Sequence, residues 1–338
     1  MIWYSEKNDN DIMVSTRVRI ARNLKKYVFP NVISAEDAKK VSEDVKNAIF
    51  KSNSALANDF EFYELSKTNP VTKQALIEQH FISPDLAQSK YGAALINKDR
   101  TMSIMINEED HLRVQVILSG LKLKQAWETA DKIDDLIAEN AEYAFDENFG
   151  YLTACPTNVG TGLRASVMMH LPALTYTRDI SKVITSAGGL GIAVRGIYGE
   201  GSEALGNLYQ ISNQITMGYT EEELIAKVEN IAKQIEGYEK EARNKLMKQN
   251  KAELEDKAWR SYGILKYARE VSSKESKELI SAVILGNALG IIDKKINTSL
   301  IELMIKTEPA LISGGSDMDA KTRDLKRAEL IRSALDEK

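Results

Sequence analysis

The stretch YGAALINKDRTMSIMINEEDHLRVQVILSG, residues 91–120, indicates the class of fold. Its first part holds two largely apolar runs around the segment NKD at 97–99, and this pattern predicts a β-hairpin. Its last part alternates, with apolar side chains at every second position from Leu112 to Leu118. His111 and Arg113 begin the opposite face of that strand. The stretch therefore predicts consecutive strands of an antiparallel sheet.

Helical patterns lie on both sides of these strands. Residues 34–52 begin with a serine cap and an acidic residue three positions on, and apolar residues then recur at helical spacing. Further helices are predicted at about 70–80 and 122–146. Residues 193–214 predict a strand, a glycine-rich loop and a second strand. This mixture predicts an α+β domain in which helices flank an antiparallel β-sheet.

The character of the chain changes near residue 221. A long amphipathic helix is predicted after Thr220, a residue type that caps helices, and helical spacing continues to the C-terminus. Breaks are predicted at Gly290, at Pro309 and in the segment SGGSD. We therefore predict two domains, over residues 1–243 and 244–338, of which the second is all-helical.

The composition argues against several classes of protein. The chain has 338 residues, of which 43% are hydrophobic and 28% charged, and its formal net charge is −4. Such a chain has no bulk cationic field for nucleic acid or for a membrane surface. Its first residues lack the pattern of a signal peptide. The single cysteine, Cys155, cannot form an intrachain disulfide, and we expect a cytoplasmic protein.

Charged residues gather in a few segments that carry chemistry. In STRVRIARN, residues 15–23, two arginines stand two apart and project from one face if the chain is extended. Arginines at strand ends suit bidentate recognition of phosphate oxygens, as in a nucleotide triphosphate. Each arginine taken alone also fits a surface residue paired with an acid, and Cys155 alone fits a buried small hydrophobe. No P-loop and no G-x-G-x-x-G fingerprint is present, and three scattered histidines give no zinc site.

Four blocks, taken together, resemble the ATP:guanido phosphotransferase (phosphagen kinase) family. They are STRVRIARN, NEEDHLRVQ, CPTNVGTGLRAS and RGIYGEGSEALGNLYQISN, and they follow in family order from Ser15 to Asn213. Creatine-type members carry a helical domain before the first block, whereas only fourteen residues precede Ser15 here. This layout resembles the bacterial protein arginine kinases of the McsB type. An open guanidino site would suit an arginine on a protein.

The resemblance implies a role for each matching residue. It assigns ATP binding to five arginines and one histidine: Arg17, Arg19, Arg113, Arg164, Arg195 and His80. His111 matches a further position near the nucleotide. Catalytic roles fall to Glu109, Glu200 and Cys155, of which the cysteine is expected to help hold a guanidinium. The glycines after Cys155 are expected to let the backbone pass close to phosphate. ATP and Mg²⁺ are implied, with no dedicated protein ligand for the metal.

The segment RDLKRA, residues 323–328, lies in a predicted helix. Its spacing alone predicts an ion pair between Asp324 and Arg327 on a solvated face. By resemblance, the segment is instead a phosphoarginine-binding, allosteric motif made of Arg323, Asp324, Arg327 and Ala328.

The resemblance also implies a biological role. The protein would phosphorylate arginines of proteins, a heat-shock repressor among them, and mark them for Clp-type proteolysis in the stress response. An activator protein, a Clp-type ATPase and a homodimer or higher oligomer are implied, with no direct nucleic-acid or membrane partner. Two alternatives stay open: a phosphoarginine-binding adaptor with weak kinase activity, and a kinase of free guanidino compounds.

Overall fold

The computed structural model describes residues 2–6, 8–52, 54–196, 204–294 and 299–336. Its strands, in chain order, are β1 (Met13–Arg22), β2 (Phe60–Glu64), β3 (Ala93–Asn97), β4 (Met102–Ile106), β5 (Leu112–Ser119), β6 (Phe145–Asp146), β7 (Gly150–Tyr151), β8 (Leu163–His170), β9 (Ile192–Gly196) and β10 (Leu208–Asn213).

The helices follow the same order. They are α1 (Ala35–Phe50), α2 (Pro70–Glu78), α3 (Pro84–Gln88), α4 (Leu123–Ala138), α5 (Pro172–Tyr176), α6 (Ile180–Gly189), α7 (Glu221–Gln249), α8 (Lys251–Tyr267), α9 (Ser273–Ala288), α10 (Leu300–Lys306), α11 (Pro309–Ser313) and α12 (Ala320–Leu335). None of the helices in the described ranges has the length and apolar character needed to cross a lipid bilayer.

Eight strands form one sheet, in the order β2-β3-β4-β5-β1-β8-β10-β9. Strands β2 to β5 pair antiparallel with their neighbours, and Met105 lies opposite Arg113 in the β4–β5 pair. The predicted hairpin and the alternating strand are thereby confirmed. An antiparallel sheet with flanking helices and a helical C-terminal region is the predicted fold class.

The chain divides into two compact units. The first contains Met1–Trp3, Thr16–Ser166 and Ser212–Val228, and the second contains Tyr4–Ser15, Val167–Ile211 and Glu229–Lys338. In the first unit, α4 packs its buried apolar face against β5 and against α1. In the second, α8 packs against α9 and α12.

Local capping explains where two of the predicted helices begin. The hydroxyl of Ser34 accepts a hydrogen bond from Asp37 N at 3.1 Å, which starts α1. Before α7, Glu223 N donates to Thr220 Oγ1 at 3.2 Å while Thr220 N donates to Glu223 Oε2 at 2.9 Å. These reciprocal bonds form a capping box, which satisfies amides that the first turn leaves free.

The helix predicted over 122–146 is wrong at its C-terminal end, because α4 stops at Ala138. The following chain instead donates from Ala144 N to Asn23 O at 2.8 Å, while Glu142 O accepts from Lys25 N at 2.9 Å. Backbone groups that pair with the chain after β1 cannot also continue a helix. Tertiary pairing therefore overrides the local helical pattern here.

Candidate active site

Three neighbouring strands present arginines in the first unit. The sheet order places β5, β1 and β8 side by side. Arg113 lies on β5, Arg17 and Arg19 lie on β1, and Arg164 lies on β8. All four side chains are half-buried. On β1 they alternate with buried Val18 and Ile20, because successive strand residues point to opposite faces.

Hydrogen bonds join the segments of β1 and β8, which both carry arginines of this group. Ala21 N donates to Gly162 O at 2.9 Å, and Ser166 Oγ donates to Arg17 O at 3.1 Å. Like charges on neighbouring strands are destabilising unless something neutralises them.

The electrostatics of the cluster agree with that geometry. Burial, together with the positive charges of Arg113 and Arg164, lowers the pKa of Arg17 from 12.5 to about 10. Burial and the other three arginines hold the pKa of Arg19 well below its usual range, against a smaller opposing effect of Glu108. Arg19 Nε is buried and has no hydrogen-bond partner among the described residues. The cluster is thus a concentration of donors that fits a polyphosphate.

Two carboxylates meet the Arg113 guanidinium. Glu108 Oε2 lies 2.6 Å from one terminal nitrogen, and Glu109 Oε2 accepts a hydrogen bond from the other at 3.1 Å. The Glu108 side chain is only 5% exposed and also accepts a hydrogen bond from Ser83, whereas that of Glu109 is 44% exposed. Glu108 therefore fixes Arg113, and Glu109 is the accessible carboxylate.

The segment that carries Cys155 is attached to the same place through Asp110. Asp110 Oδ1 accepts hydrogen bonds from Ala154 N and from Asn23 Nδ2, both at 2.7 Å. Asp110 is buried, and burial raises its pKa. Since Asp110 follows Glu109 and Ala154 precedes Cys155, this bond brings the two predicted catalytic residues to one region. Cys155 is half-buried, with its Sγ 3.0 Å from Thr157 Oγ1.

Two glycines after Cys155 lie where the backbone packs closely against other backbone. Gly160 has a φ of +111°, and a Cβ there would lie 2.8 Å from Met217 Cα. Gly162 has a φ of +66°, and its Cβ would lie 2.5 Å from Ala21 O. Protein backbone occupies the space where each side chain would begin, so these glycines permit close packing against Met217 and Ala21, while the expected approach to phosphate stays a prediction.

The two histidines of the first unit differ in their surroundings. His80 is half-buried, its ring lies tilted with its centroid 6.1 Å from that of the Trp3 ring, and its carbonyl accepts a hydrogen bond from Gln115 of β5 at 2.7 Å. His111 is fully buried: its Nδ1 accepts from Leu24 N at 3.1 Å and its Nε2 lies 3.0 Å from Val28 O. Backbone groups thus occupy both ring nitrogens of His111, which holds the chain after β1.

Sequence reasoning did not assign a role to Glu108, Asp110, Ser83 or Asn23. The segment NEED shows three consecutive carboxylates in the sequence, but nothing in its pattern indicates which of them is exposed. Asn23 closes the block STRVRIARN, and Ser83 lies outside all four blocks.

The two remaining residues of the predicted site are Arg195 and Glu200. Arg195 is half-buried on β9, in the second unit, and Glu200 lies outside the described residues. Within the described ranges, no three His, Cys, Asp or Glu side chains form a group that could hold a metal ion.

Comparison with known proteins decides the family. The sequence model of the ATP:guanido phosphotransferase C-terminal catalytic domain matches residues 40–242. The chain belongs to this family. That assignment confirms the resemblance, and the protein is a phosphotransferase whose family uses ATP.

Relatives of this phosphotransferase extend the match to nearly the whole chain. A protein named protein-arginine kinase from Caldanaerobacter subterraneus subsp. tengcongensis is 50% identical over 98% of this chain and 98% of its own length. One of the same name from Geobacillus stearothermophilus is 47% identical over 98% of this chain and 93% of its own. The crystal structure of lombricine kinase is 28% identical, with a TM-score of 0.61 over 70% of this chain and 68% of that one.

The C-terminal part of the phosphotransferase matches a second model, that of the protein-arginine kinase McsB C-terminal domain, at residues 251–338. Here α12 brings Arg323, Asp324, Arg327 and Ala328 together. Asp324 and Arg327 form the ion pair that their spacing predicts. However, Arg327 is buried rather than solvated: its Nε donates to Thr307 O at 2.8 Å and a terminal nitrogen donates to Val271 O at 2.9 Å.

The other members of this motif are less enclosed. Arg323 is half-buried and donates to Met318 O at 3.2 Å, and the Asp324 side chain is 24% exposed. Ala328 is buried. Arg327 therefore orients the Asp324 carboxylate, while Arg323 and Asp324 present accessible polar atoms.

Proposed function

We propose that this phosphotransferase moves the γ-phosphoryl group of ATP to the guanidino group of arginine residues in proteins. The observation that carries the proposal is the cluster of Arg17, Arg19, Arg113 and Arg164, in which burial and the neighbouring positive charges lower the pKa of Arg17 and Arg19 beside an exposed carboxylate. Such a cluster suits a ligand as strongly charged as a triphosphate. The names of the full-length relatives support arginine in proteins as the acceptor.

The arginines would bind and align the triphosphate. Phosphoryl transfer leaves little covalent work for a protein, so positioning and charge stabilisation dominate the rate. Arg195 is proposed to join the four, and His80 to lie beside the nucleotide, on the strength of the family pattern. Mg²⁺ would supply charge neutralisation while bound mainly by phosphate oxygens and water, because both carboxylates at Arg113 are engaged by that arginine.

The acceptor guanidinium needs a partner that removes a proton. A guanidinium keeps its proton at neutral pH and is then a poor nucleophile. The Glu109 carboxylate can accept hydrogen bonds from it and take the proton as the N–P bond forms and the bond between the γ-phosphorus and the β-phosphate oxygen breaks, which releases ADP. Glu200 is proposed as the second carboxylate that aligns the guanidino nitrogen. Cys155, close to Glu109 through the Asp110–Ala154 bond, would assist in holding the guanidinium.

The α12 motif is proposed to bind phosphoarginine. Arg323 has donors for the phosphate, and the Asp324 carboxylate, oriented by Arg327, can accept from guanidino N–H groups. We further propose, from the family resemblance, that the marked proteins are passed to a Clp-type protease in the stress response. A heat-shock repressor as substrate, an activator protein, an oligomeric state and a cytoplasmic location belong to the same proposal, as do the predicted domains 1–243 and 244–338.

The test is an incubation with MgATP and either casein or free L-arginine, read out as acid-labile phosphate on arginine. Phosphorylation of casein but not of the free amino acid is the expected outcome. Labelling of L-arginine alone would favour the kinase of free guanidino compounds. No labelling, with phosphoarginine still bound, would favour the adaptor.

Glu109→Gln tests the mechanism within the same assay. Losing the proton acceptor should lower kcat by about 10²–10⁴-fold. Glu139→Gln, an exposed carboxylate at the end of α4, is the matched control and should keep wild-type turnover. Wild-type kcat in Glu109→Gln would show that this carboxylate has no catalytic role.

A further inference from the structure

Four neighbouring strand ends of the first unit lie along one edge of the sheet. The strands are β5, β1, β8 and β10, side by side in that order. Three hydrogen bonds of 2.9 Å join their ends in turn, from His111 N to Asn23 Oδ1, from Ala21 N to Gly162 O and from Asn213 Nδ2 to Leu163 O. Glu109 precedes β5 and Ile215 follows β10, so the two residues stand at opposite ends of this edge.

The segment that carries Cys155 runs between those two places. At its start, Ala154 N is bonded to the carboxylate of the residue that follows Glu109. Two residues after Cys155, Thr157 O accepts a hydrogen bond from Thr216 Oγ1 at 3.1 Å. Cys155 therefore lies between the exposed carboxylate of the candidate site and the chain around Thr216.

Two large apolar side chains flank Thr216 and are exposed. Thr216 itself is buried, whereas Ile215 is 54% exposed and Met217 is 44% exposed. Gly160 brings the two chain segments into close contact, since a Cβ there would lie 2.8 Å from Met217 Cα. Ile215 and Met217, which we call the apolar rim, thus border the Cys155 segment beyond Cys155 as seen from Glu109.

The residues that flank an acceptor arginine can reach the apolar rim. An extended arginine side chain separates its guanidinium from its Cα by about 6–7 Å, and each neighbouring Cα lies about 3.8 Å further along the chain. The strands β5 and β10 are three strand spacings of about 4.8 Å apart, and the Cys155 segment lies between their ends. A guanidinium held at Glu109 and Cys155 therefore leaves neighbouring side chains of the same polypeptide within reach of Ile215 and Met217.

We propose that the apolar rim binds apolar side chains next to the acceptor arginine, so that the preferred substrate is an arginine flanked by apolar residues in an extended polypeptide. The inference rests on the proposed function, because it needs a protein as the acceptor. Contacts on the rim are far from the transferred phosphoryl group and should be equally strong before and during the reaction. They should therefore lower the KM for the peptide and leave kcat unchanged.

Two synthetic peptides with one arginine each test this inference on the full chain. The arginine is flanked on both sides by two leucines in one peptide and by two serines in the other. We expect wild type to show a KM about tenfold lower for the leucine peptide, as apolar contacts of this size commonly give. Ile215→Ser/Met217→Ser should raise that KM to the value of the serine peptide, with kcat and the KM for ATP within about twofold of wild type.

A matched control and a charged variant sharpen the test. Ile184→Ser replaces an isoleucine of α6 that is 39% exposed and belongs to the second unit, and it should keep the wild-type preference. Met217→Glu places a carboxylate on the rim, so a peptide with lysines beside the arginine should gain several-fold in KM, and added salt should reduce that gain. Loss of packing alone would not create a preference for lysine.

The outcomes separate this inference from the proposed function. Wild type that phosphorylates casein and both peptides with equal KM would refute only the role of the rim, as would a double variant that keeps the leucine preference. A double variant that forms smaller particles in light scattering and loses kcat with both peptides would make the rim an interface between copies of the chain, which also overturns the inference. No phosphorylation of casein or of either peptide by wild type would refute the proposed function itself, and this inference with it.

Discussion

Replacing either of two arginines of the same strand by glutamine should change the stability of the protein in opposite directions. Arg17 belongs to the cluster of like charges, and Arg22 lies five residues on in β1. Arg22 is buried, lies 2.8 Å from the Asp134 carboxylate, and donates to Thr161 O at 2.8 Å. We predict that Arg17→Gln stabilises the ligand-free protein and that Arg22→Gln destabilises it.

The magnitudes follow from the structure. The pKa of Arg17 is lowered from 12.5 to about 10, which at about 1.4 kcal/mol per unit corresponds to about 3 kcal/mol against the charged form. Partial exposure and the polar contacts that Arg17 makes reduce the gain, so we expect about 1 kcal/mol. Arg22→Gln leaves the Asp134 carboxylate buried without its partner, which costs about 3–5 kcal/mol.

Thermal unfolding with and without ATP measures both effects. A change of 1 kcal/mol moves the midpoint of a domain of this size by about 2–4 °C. Ligand-free Arg17→Gln should melt a few degrees above wild type, and ATP should raise its midpoint less than it raises that of wild type. Charge-assisted hydrogen bonds contribute about 1.5–3 kcal/mol each, so the KM for ATP should rise about 10–100-fold.

A loss of stability in ligand-free Arg17→Gln would refute the reasoning. If ligand-free Arg17→Gln melts below wild type as Arg22→Gln does, the cluster is a stabilised structural network. An unchanged KM for ATP in Arg17→Gln would likewise exclude this arginine from the nucleotide site.

Three other predictions concern stability. Burial lowers the pKa of His111 to about 4, below its ordinary 6.5, so its contribution is complete above about pH 6.5 and falls as the pH drops toward 4. At about pH 5 the unfolding free energy should be about 2 kcal/mol lower than above pH 6.5. Urea titrations at several pH values should show that the unfolding free energy of His111→Gln changes less with pH in this window than that of wild type. Arg327→Met should lower the free energy of unfolding in urea by about 3–5 kcal/mol, because it leaves Asp324 and two carbonyls without their donor. The control Arg260→Met, at an exposed arginine, should lower it by less than about 1 kcal/mol. Gly162→Ala should lower the melting midpoint, since its Cβ would meet Ala21 O, and Gly188→Ala, with open space around it, should not.

The order of strands and helices could be predicted from local sequence patterns, because each pattern depends on residues that are close together in the chain. The hairpin at 93–106, the serine cap of α1 and the threonine cap of α7 all follow from short-range chemistry. The helix end at Ala138 was not readable, because backbone groups near Asn23 set it from more than a hundred residues away.

The candidate site divides in the same way. By itself the sequence determined the antiparallel α+β class, the family and the identity of the clustered arginines, since motif order and strand periodicity are local properties. Only the tertiary structure decided that Glu108 is enclosed while Glu109 is exposed, that Asp110 brings the Cys155 segment to Glu109, and that Arg327 is buried. Adjacent carboxylates look alike in a sequence, and burial and hydrogen-bond partners, which depend on distant segments, make them chemically different.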